Sequence, residues 1–252
     1  MESTLGTQPE RVTSPDDDLR EDTSMTTAEF ETFRSTRAVH ADPGVYEPQD
    51  DSWLLCEMAS QAGVVRGARV LDMCTGSGAV ALAAASMGAR EVVAFDISPL
   101  AVACARRNAA DLGVDVDVRH GSFADAAALQ PFDVILCNPP YVPSEAVPAG
   151  EGPHRAWDGG HDGRIVLDPL CEAAHGLLVP GGTLMLVHSE YSNPERTEAM
   201  LRSKDMTVST AARRSISFGP VMTQRAAWLE QVGLLEASRD IEDLVVIRAD
   251  RR

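Results

Sequence analysis

Between residues 69 and 137 the chain alternates short apolar runs with helix-like segments, and that alternation restricts the fold more than anything else in the sequence. Residues 70–73 (Val-Leu-Asp-Met) read as a strand, 74–78 (Cys-Thr-Gly-Ser-Gly) as a turn, and 79–87 as an Ala-rich helix closed by Gly88. A second strand follows at 91–96, then Ser98 as N-cap, Pro99 in the first helical turn, and a helix to Leu112 stopped by Gly113. Residues 114–119 alternate as a third strand and 132–137 form a fourth. Beyond them come a helix at 165–178, a strand at 183–188, a helix at 194–202, a strand at 207–212, a helix at 226–232 and a strand at 244–248. Seven strands alternating with helices predict an α/β fold: a Rossmann-like, doubly wound, mostly parallel seven-stranded sheet, with its site at the strand carboxyl ends.

The fourth strand runs straight into Asn138-Pro139-Pro140-Tyr141. Each proline forces the residue before it into an extended backbone and offers no N–H. The corner therefore presents the Asn138 side-chain oxygen and the Pro139 carbonyl as two acceptors for one planar NH₂ group, with Tyr141 placed to lie flat against it. The plain alternative is a strand that stops at a Pro-Pro turn.

Gly76-Ser77-Gly78-Ala79-Val80-Ala81 fits the dinucleotide fingerprint G-x-G-x-x-A, so a nicotinamide enzyme has to be weighed. Two carboxylates point elsewhere. Asp72 lies inside the strand before the turn, where it can bind a cationic amino group or merely cap the turn. Asp96 ends the next strand, 24 residues on, where a carboxylate accepts both hydroxyls of a ribose, and Ile97 then packs on an adenine face. Upstream, Asp51 or Ser52 can cap a helix running through Trp53, Leu54, Cys56, Glu57 and Met58, leaving polar groups and free N–H donors near its start.

These residues carry a resemblance. Asp-x-x-Thr-Gly-Ser-Gly at 72–78, the acid ending strand two, and Asn-Pro-Pro-Tyr ending strand four resemble class I S-adenosylmethionine-dependent methyltransferases acting on amide or amino nitrogen. Tyr46-Glu47-Pro48 with Asp51-Ser52, and Trp157-Asp158-Gly159-Gly160 with Gly163-Arg164, narrow it to the HemK family, over residues 40–250. The chain is similar to the smaller branch of that family, which has no separate N-terminal helical domain.

The resemblance implies N5-methylation of a glutamine side chain in a protein, in the best-known cases the Gly-Gly-Gln glutamine of a translation release factor. S-adenosyl-L-methionine is the implied cofactor and a small activator subunit an implied partner. Ser52 would touch the cofactor's methionine end and Asp72 its amino group. The turn from Cys74 through Gly76 to Gly78 would approach its backbone, Asp96 its ribose, and Ile97, Ser122 and Phe123 its adenine. Asn138, Pro139, Pro140 and Tyr141 would form the acceptor corner, with Asn138 also beside the cofactor. Two positions depart from the family pattern: Cys74 replaces a turn glycine, and Ser122 replaces an aspartate, for which Asp125 is the nearby substitute.

Composition bears on what else the chain can do. The formal charge is −16, Lys204 is the only lysine, and residues 1–51 hold 13 acids against 4 arginines. This lacks the footprint of a duplex-DNA binder, so nucleic acid is an unfavoured partner. Residues 1–37 contain almost no large apolar side chains, so they are expected to be a disordered acidic tail ahead of a methyltransferase domain at 38–252. No apolar run approaches membrane-spanning length and the N-terminus carries no secretory pattern; a cytoplasmic protein without membrane contact is expected. Cys56, Cys74, Cys104, Cys137 and Cys171 show no C-x-x-C spacing and are expected as free thiols, with no metal site. His120, His154, His161 and His188 are expected at solvated positions, none of them catalytic. Two further function classes stay open: methylation of an exocyclic amine on a nucleobase or small molecule, and a non-catalytic binding module of the same fold.

Overall fold

In the computed structural model, residues 39–145 and 152–252 are described; the expectation for residues 1–37 lies outside them. Helix α1 (Asp50–Gln61) precedes strand β1 (Arg69–Met73), α2 (Ala79–Ser86), β2 (Glu91–Asp96), α3 (Pro99–Leu112), β3 (Asp117–His120), the short α4 (Phe123–Ala127) and β4 (Phe132–Cys137). After a loop with a 3₁₀ turn at Pro153–Ala156 come α5 (Leu167–Leu177), β5 (Leu178–Ser189), α6 (Pro194–Ser203), β6 (Met206–Ser217), α7 (Pro220–Gln231) and β7 (Ile241–Arg251).

The seven strands form one sheet in the order β3-β2-β1-β4-β5-β7-β6. The pairings among β1 to β5 are parallel; β7 runs antiparallel to both β5 and β6. The expected doubly wound, mostly parallel α/β sheet is what forms. Parallel strands covered on both faces need continuous apolar runs, and Val70, Leu71, Val93, Ala94, Ile135 and Leu136 are all essentially inaccessible. The winding reverses between β1 and β4, so their carboxyl ends, Met73 and Cys137, emerge side by side. That switch point is where an open α/β sheet offers a crevice.

Several boundaries differ from the sequence reading for identifiable reasons. The third strand begins at Asp117 rather than residue 114, because Gly113 is left-handed and Val114 N–H closes the helix end on the Ala109 carbonyl. The sixth strand continues to Ser217 through Arg213 and Arg214, side chains that match no buried pattern because this edge strand is largely exposed. α7 begins at Pro220, six residues before the expected start, and α4 is additional. No helix among the described residues is long and apolar enough to cross a membrane.

Candidate active site

The turn after β1 is held from both sides. Asp72 is 1% exposed, and its Oδ2 accepts from Thr75 Oγ1 at 2.6 Å and from the Ala81 N–H at 3.1 Å, tying turn to helix. Burial pushes its pKa up to about 7 against the pull of those two donors. Cys74 is left-handed at φ 62°, as are Gly76 at 55° and Gly78 at 90°. A Cβ on Gly78 would lie 3.1 Å from the Ala105 Cβ, so its missing side chain permits the close approach of α2 and α3. Cys74 thus adopts the conformation expected of a glycine at its position, at the steric cost of a side chain there.

Asp96 closes the turn. Its Oδ2 accepts from the Gly76 N–H at 2.9 Å and its Oδ1 from the Ser98 N–H at 2.8 Å. Burial raises its pKa and these donors oppose the rise. Ile97 beside it is 53% exposed, a large apolar face open at the sheet's carboxyl edge. Ser122 and Asp125 form a local pair: Asp125 Oδ2 accepts from Ser122 N–H at 2.7 Å and from its hydroxyl at 2.9 Å, at the start of α4 whose first residue is Phe123. Those two bonds hold the Asp125 carboxyl below its usual range.

At the corner after β4, the Asn138 Nδ2 donates to Ser52 Oγ at 3.0 Å. That bond turns the amide so that Oδ1 is the end left over. Neither this oxygen nor the Pro139 carbonyl accepts a hydrogen bond among the described residues. Tyr141 is 8% exposed and its hydroxyl donates to Asp51 Oδ2 at 2.9 Å. Tyr46 donates to the same oxygen at 2.8 Å, and Asp51 Oδ1 accepts from the Ser52 N–H at 2.6 Å. Burial and then the Asp51 charge push both phenols upward, so they act as donors. Asp51 is therefore the hub that fixes the Tyr141 ring and the residue orienting Asn138.

A loop braces the corner from outside. Val142 N–H donates to the Trp157 carbonyl at 2.8 Å and Gly159 N–H to the Val142 carbonyl at 2.8 Å. Arg164, 2% exposed, donates to the Ser192 carbonyl, the Asn193 carbonyl at 3.0 Å, Thr197 Oγ1 at 3.0 Å and Asp168 at 2.8 Å. Ser192 Oγ in turn donates to the Tyr141 carbonyl at 2.6 Å. The Trp-Asp-Gly-Gly and Gly-Arg motifs thus pin the corner rather than line it, except at Trp157.

A cavity of about 150 Å³ opens on Asn138, Pro139 and Tyr141 and is walled by Asp51, Trp157 and Glu242. Glu242, on β7, is 5% exposed and its Oε2 has no hydrogen-bond partner. Sequence reasoning missed it: Ile-Glu-Asp ahead of an apolar strand looks like a solvated strand entry. Asp51 as a hub and Asn108, whose Nδ2 donates to the Ser77 carbonyl at 2.8 Å and the His40 carbonyl at 2.7 Å, were missed for the same kind of reason. Their partners are far along the chain. His188 corrects an expectation: it is fully buried in β5, not solvated, and burial takes its pKa down to about 4. Four of the five cysteines are buried and all five are free. No His/Cys/Asp/Glu cluster able to hold a metal occurs among the described residues.

Residues 36–150 match the family model of the methyltransferase small domain. The chain is 33% identical over 185 residues to a putative protein N5-glutamine methyltransferase of Methanocaldococcus jannaschii, covering 73% of this chain and 92% of that one. It is 40% identical over 143 residues to a release factor glutamine methyltransferase of Deinococcus radiodurans, covering 54% of this chain and about half, 51%, of the relative. Among solved structures it is similar to the E. cuniculi Mtq2–Trm112 complex, described as responsible for methylation of the eRF1 translation termination factor. The TM-score is 0.58 at 21% identity, covering 83% of this chain and 99% of that one, a likeness of fold. With a relative matched over nearly its whole length, the chain belongs to the HemK family of class I, S-adenosylmethionine-dependent methyltransferases.

Proposed function

We propose that this enzyme transfers a methyl group from S-adenosyl-L-methionine to the side-chain amide nitrogen of a glutamine in a protein, the Gly-Gly-Gln glutamine of a translation release factor. The observation that carries the proposal is the orientation of Asn138. With Nδ2 committed to Ser52, the side-chain oxygen and the Pro139 carbonyl remain as the corner's acceptors, a match for the two N–H bonds of one primary amide.

The carboxyl edge of the sheet fits the cofactor. Asp96 is already fixed by two backbone N–H groups, and each of its oxygens retains a lone pair for a ribose hydroxyl. Ile97 offers the exposed apolar face that adenine stacking needs, with Phe123 half-buried nearby in sequence to Ser122. The 74–78 turn supplies close backbone. Asp72 shapes that turn through Oδ2 and is assigned the cofactor's amino group, and Ser52 orients Asn138 beside the cofactor's methionine end.

When bound, the cofactor supplies an activated methyl on a sulfonium. The protein's task is to position and polarise a poor nucleophile whose lone pair is delocalised into its carbonyl. Acceptors on both N–H bonds push electron density to nitrogen and aim its lone pair. The fixed Tyr141 ring gives the amide plane a surface. A small activator subunit is part of the proposal, supported by the family's small branch and by the similar Mtq2–Trm112 complex; co-expression with a Trm112-like subunit and co-purification test it. An acceptor in the translation machinery also supports a cytoplasmic location.

Single-turnover transfer of labelled methyl to a Gly-Gly-Gln peptide or whole release factor, followed by mass spectrometry, tests the function. Asn138→Ala is expected to lower the rate by about 10²–10³ with cofactor affinity retained. Transfer at the wild-type rate by that variant would reduce the corner to a structural turn. A nucleobase acceptor methylated in place of the peptide would replace the proposed substrate.

A further inference from the structure

Glu242 sits in the cavity wall with Asn138, Pro139 and Tyr141, outside the acceptor corner and the cofactor turn. It is 5% exposed and its Oε2 is the one carboxylate oxygen among the described residues that is both buried and without a partner. A buried, unpaired acceptor costs stability and persists where something supplies its donor. One hydroxyl, Ser189, hydrogen-bonds the carboxyl, and the other groups around it are acids and phenols: Asp51 from α1, Tyr46 ahead of it, Tyr141 from the corner, and Glu190 and Tyr191 beyond β5. The nearby guanidinium of Arg239 is paired with Glu190. Tyr46 and Tyr141 give their protons to Asp51, not to Glu242. The rest of the wall carries Gln49, Asp50 and Ser217 beside the apolar Ile216, Pro220 and Met222, and none of them reaches Oε2.

We propose that Glu242 is a further catalytic residue of this site: its free Oε2 shares one of the acceptor nitrogen's two N–H bonds with the corner's acceptors and takes the proton which that nitrogen must lose. This rests on the proposed amide acceptor. The nitrogen lone pair forms the new N–C bond while the C–S bond to the methyl of the sulfonium donor breaks, its electron pair staying on sulfur. The nitrogen is then cationic. One N–H bond breaks, its pair restores the amide lone pair, and the proton passes to Oε2, later reaching solvent through the open mouth of the cavity. Asp51 cannot substitute, since its Oδ2 already accepts two phenols and its Oδ1 the Ser52 N–H.

Burial first, then the charges of Asp51 and Glu190, raises the Glu242 pKa to about 7, with Ser189 opposing. Below that pH the carboxyl is protonated and cannot accept, so the wild-type single-turnover rate is expected to climb up to about pH 7 and then level. The experiment compares wild type and Glu242→Gln on a Gly-Gly-Gln peptide, between about pH 5.5 and 8.5, with cofactor affinity and melting temperature measured alongside. The variant is expected to lose the acid limb and to be slower by about 10² at the alkaline end, with cofactor affinity unchanged and melting temperature at or above wild type. A variant that keeps the limb and the rate overturns the inference while leaving the amide acceptor standing, as does a wild-type rate flat across the range, which decides the matter even where the variant fails to fold. A wild-type enzyme that binds cofactor and leaves the peptide unmodified overturns the proposed acceptor and this role together.

Discussion

Replacing Asp96 by alanine separates two tasks that one carboxylate performs. In the free protein it accepts from the Gly76 N–H at 2.9 Å and the Ser98 N–H at 2.8 Å, so its loss leaves two turn donors without their partner. Each such donor costs about 1–3 kcal/mol if it finds no water. On cofactor binding the same oxygens would accept two ribose hydroxyls, charge-assisted bonds of roughly 1.5–3 kcal/mol each. The expected loss in cofactor affinity is therefore about 10²–10⁴-fold, on top of a lower melting temperature for the free protein. Asp96→Asn should fall between, because one acceptor oxygen survives and the NH₂ faces a donor. Titration calorimetry reads affinity and thermal denaturation reads stability. A destabilised Asp96→Ala protein whose affinity stays within about twofold of wild type would refute the ribose role and leave Asp96 as a brace for the turn.

Arg164→Met should destabilise by about 2–4 kcal/mol in denaturant titration, because it leaves the buried Ser192 and Asn193 carbonyls unpaired while Asp168 keeps Arg196; a cost below about 1 kcal/mol would show that water replaces it. Gly163→Ala places a Cβ against the Tyr141 carbonyl and Ser192 at φ 73°, so methyl transfer should fall while cofactor affinity holds; equal activity would mean that the loop yields freely. Glu242 has a folded-state pKa of about 7 against an ordinary 4.5, so its contribution to stability is fully present below the ordinary value and fades as pH rises through 7, by on the order of 3 kcal/mol. Glu242→Gln should lack that decline between pH 5 and 8 in urea titrations, and an identical slope in both proteins would remove it from Glu242.

The parts of this molecule that could be read from sequence are those with local causes. β1, α2, β2 and α3 announce themselves because Gly78, Ser98, Pro99 and Gly113 punctuate the chain within a few residues of where they act. The Asn-Pro-Pro-Tyr corner is equally local, its geometry dictated by two rings in the backbone. β6 beyond residue 212 carries no such signal: its side chains are mostly exposed, and its place is set by pairing with β7, from Ala212 against Val246 to Ser217 against Ile241. Asp72 shows the limit from the other direction. Its spacing suggests a ligand for a cationic amino group, and its environment adds a second task that no spacing shows, Oδ2 holding Thr75 and the start of α2.

The acceptor site illustrates why local reading stops short of chemistry. Asp51 precedes Tyr141 by 90 residues and Ser52 precedes Asn138 by 86, yet these two bonds decide which end of the Asn138 amide is available. An amide side chain has nearly the same shape in either orientation, so the residue type alone leaves its acceptor unspecified. Ser52 can accept the Nδ2 proton because its own position is fixed through Asp51, and Asp51 is fixed by Tyr46 and Tyr141. The corner's proposed selectivity for an NH₂ group would thus be assembled from the first helix, and β7 closes the same cavity with a carboxyl at Glu242 that none of those partners satisfies. Of three buried acids near the switch point, Asp72 commits Oδ2 to the turn and Asp51 both oxygens to the clamp. The third, Glu242, keeps Oε2 without a donor, and the proposed role of that oxygen is better recognised by the hydrogen bond it lacks than by any bond it makes.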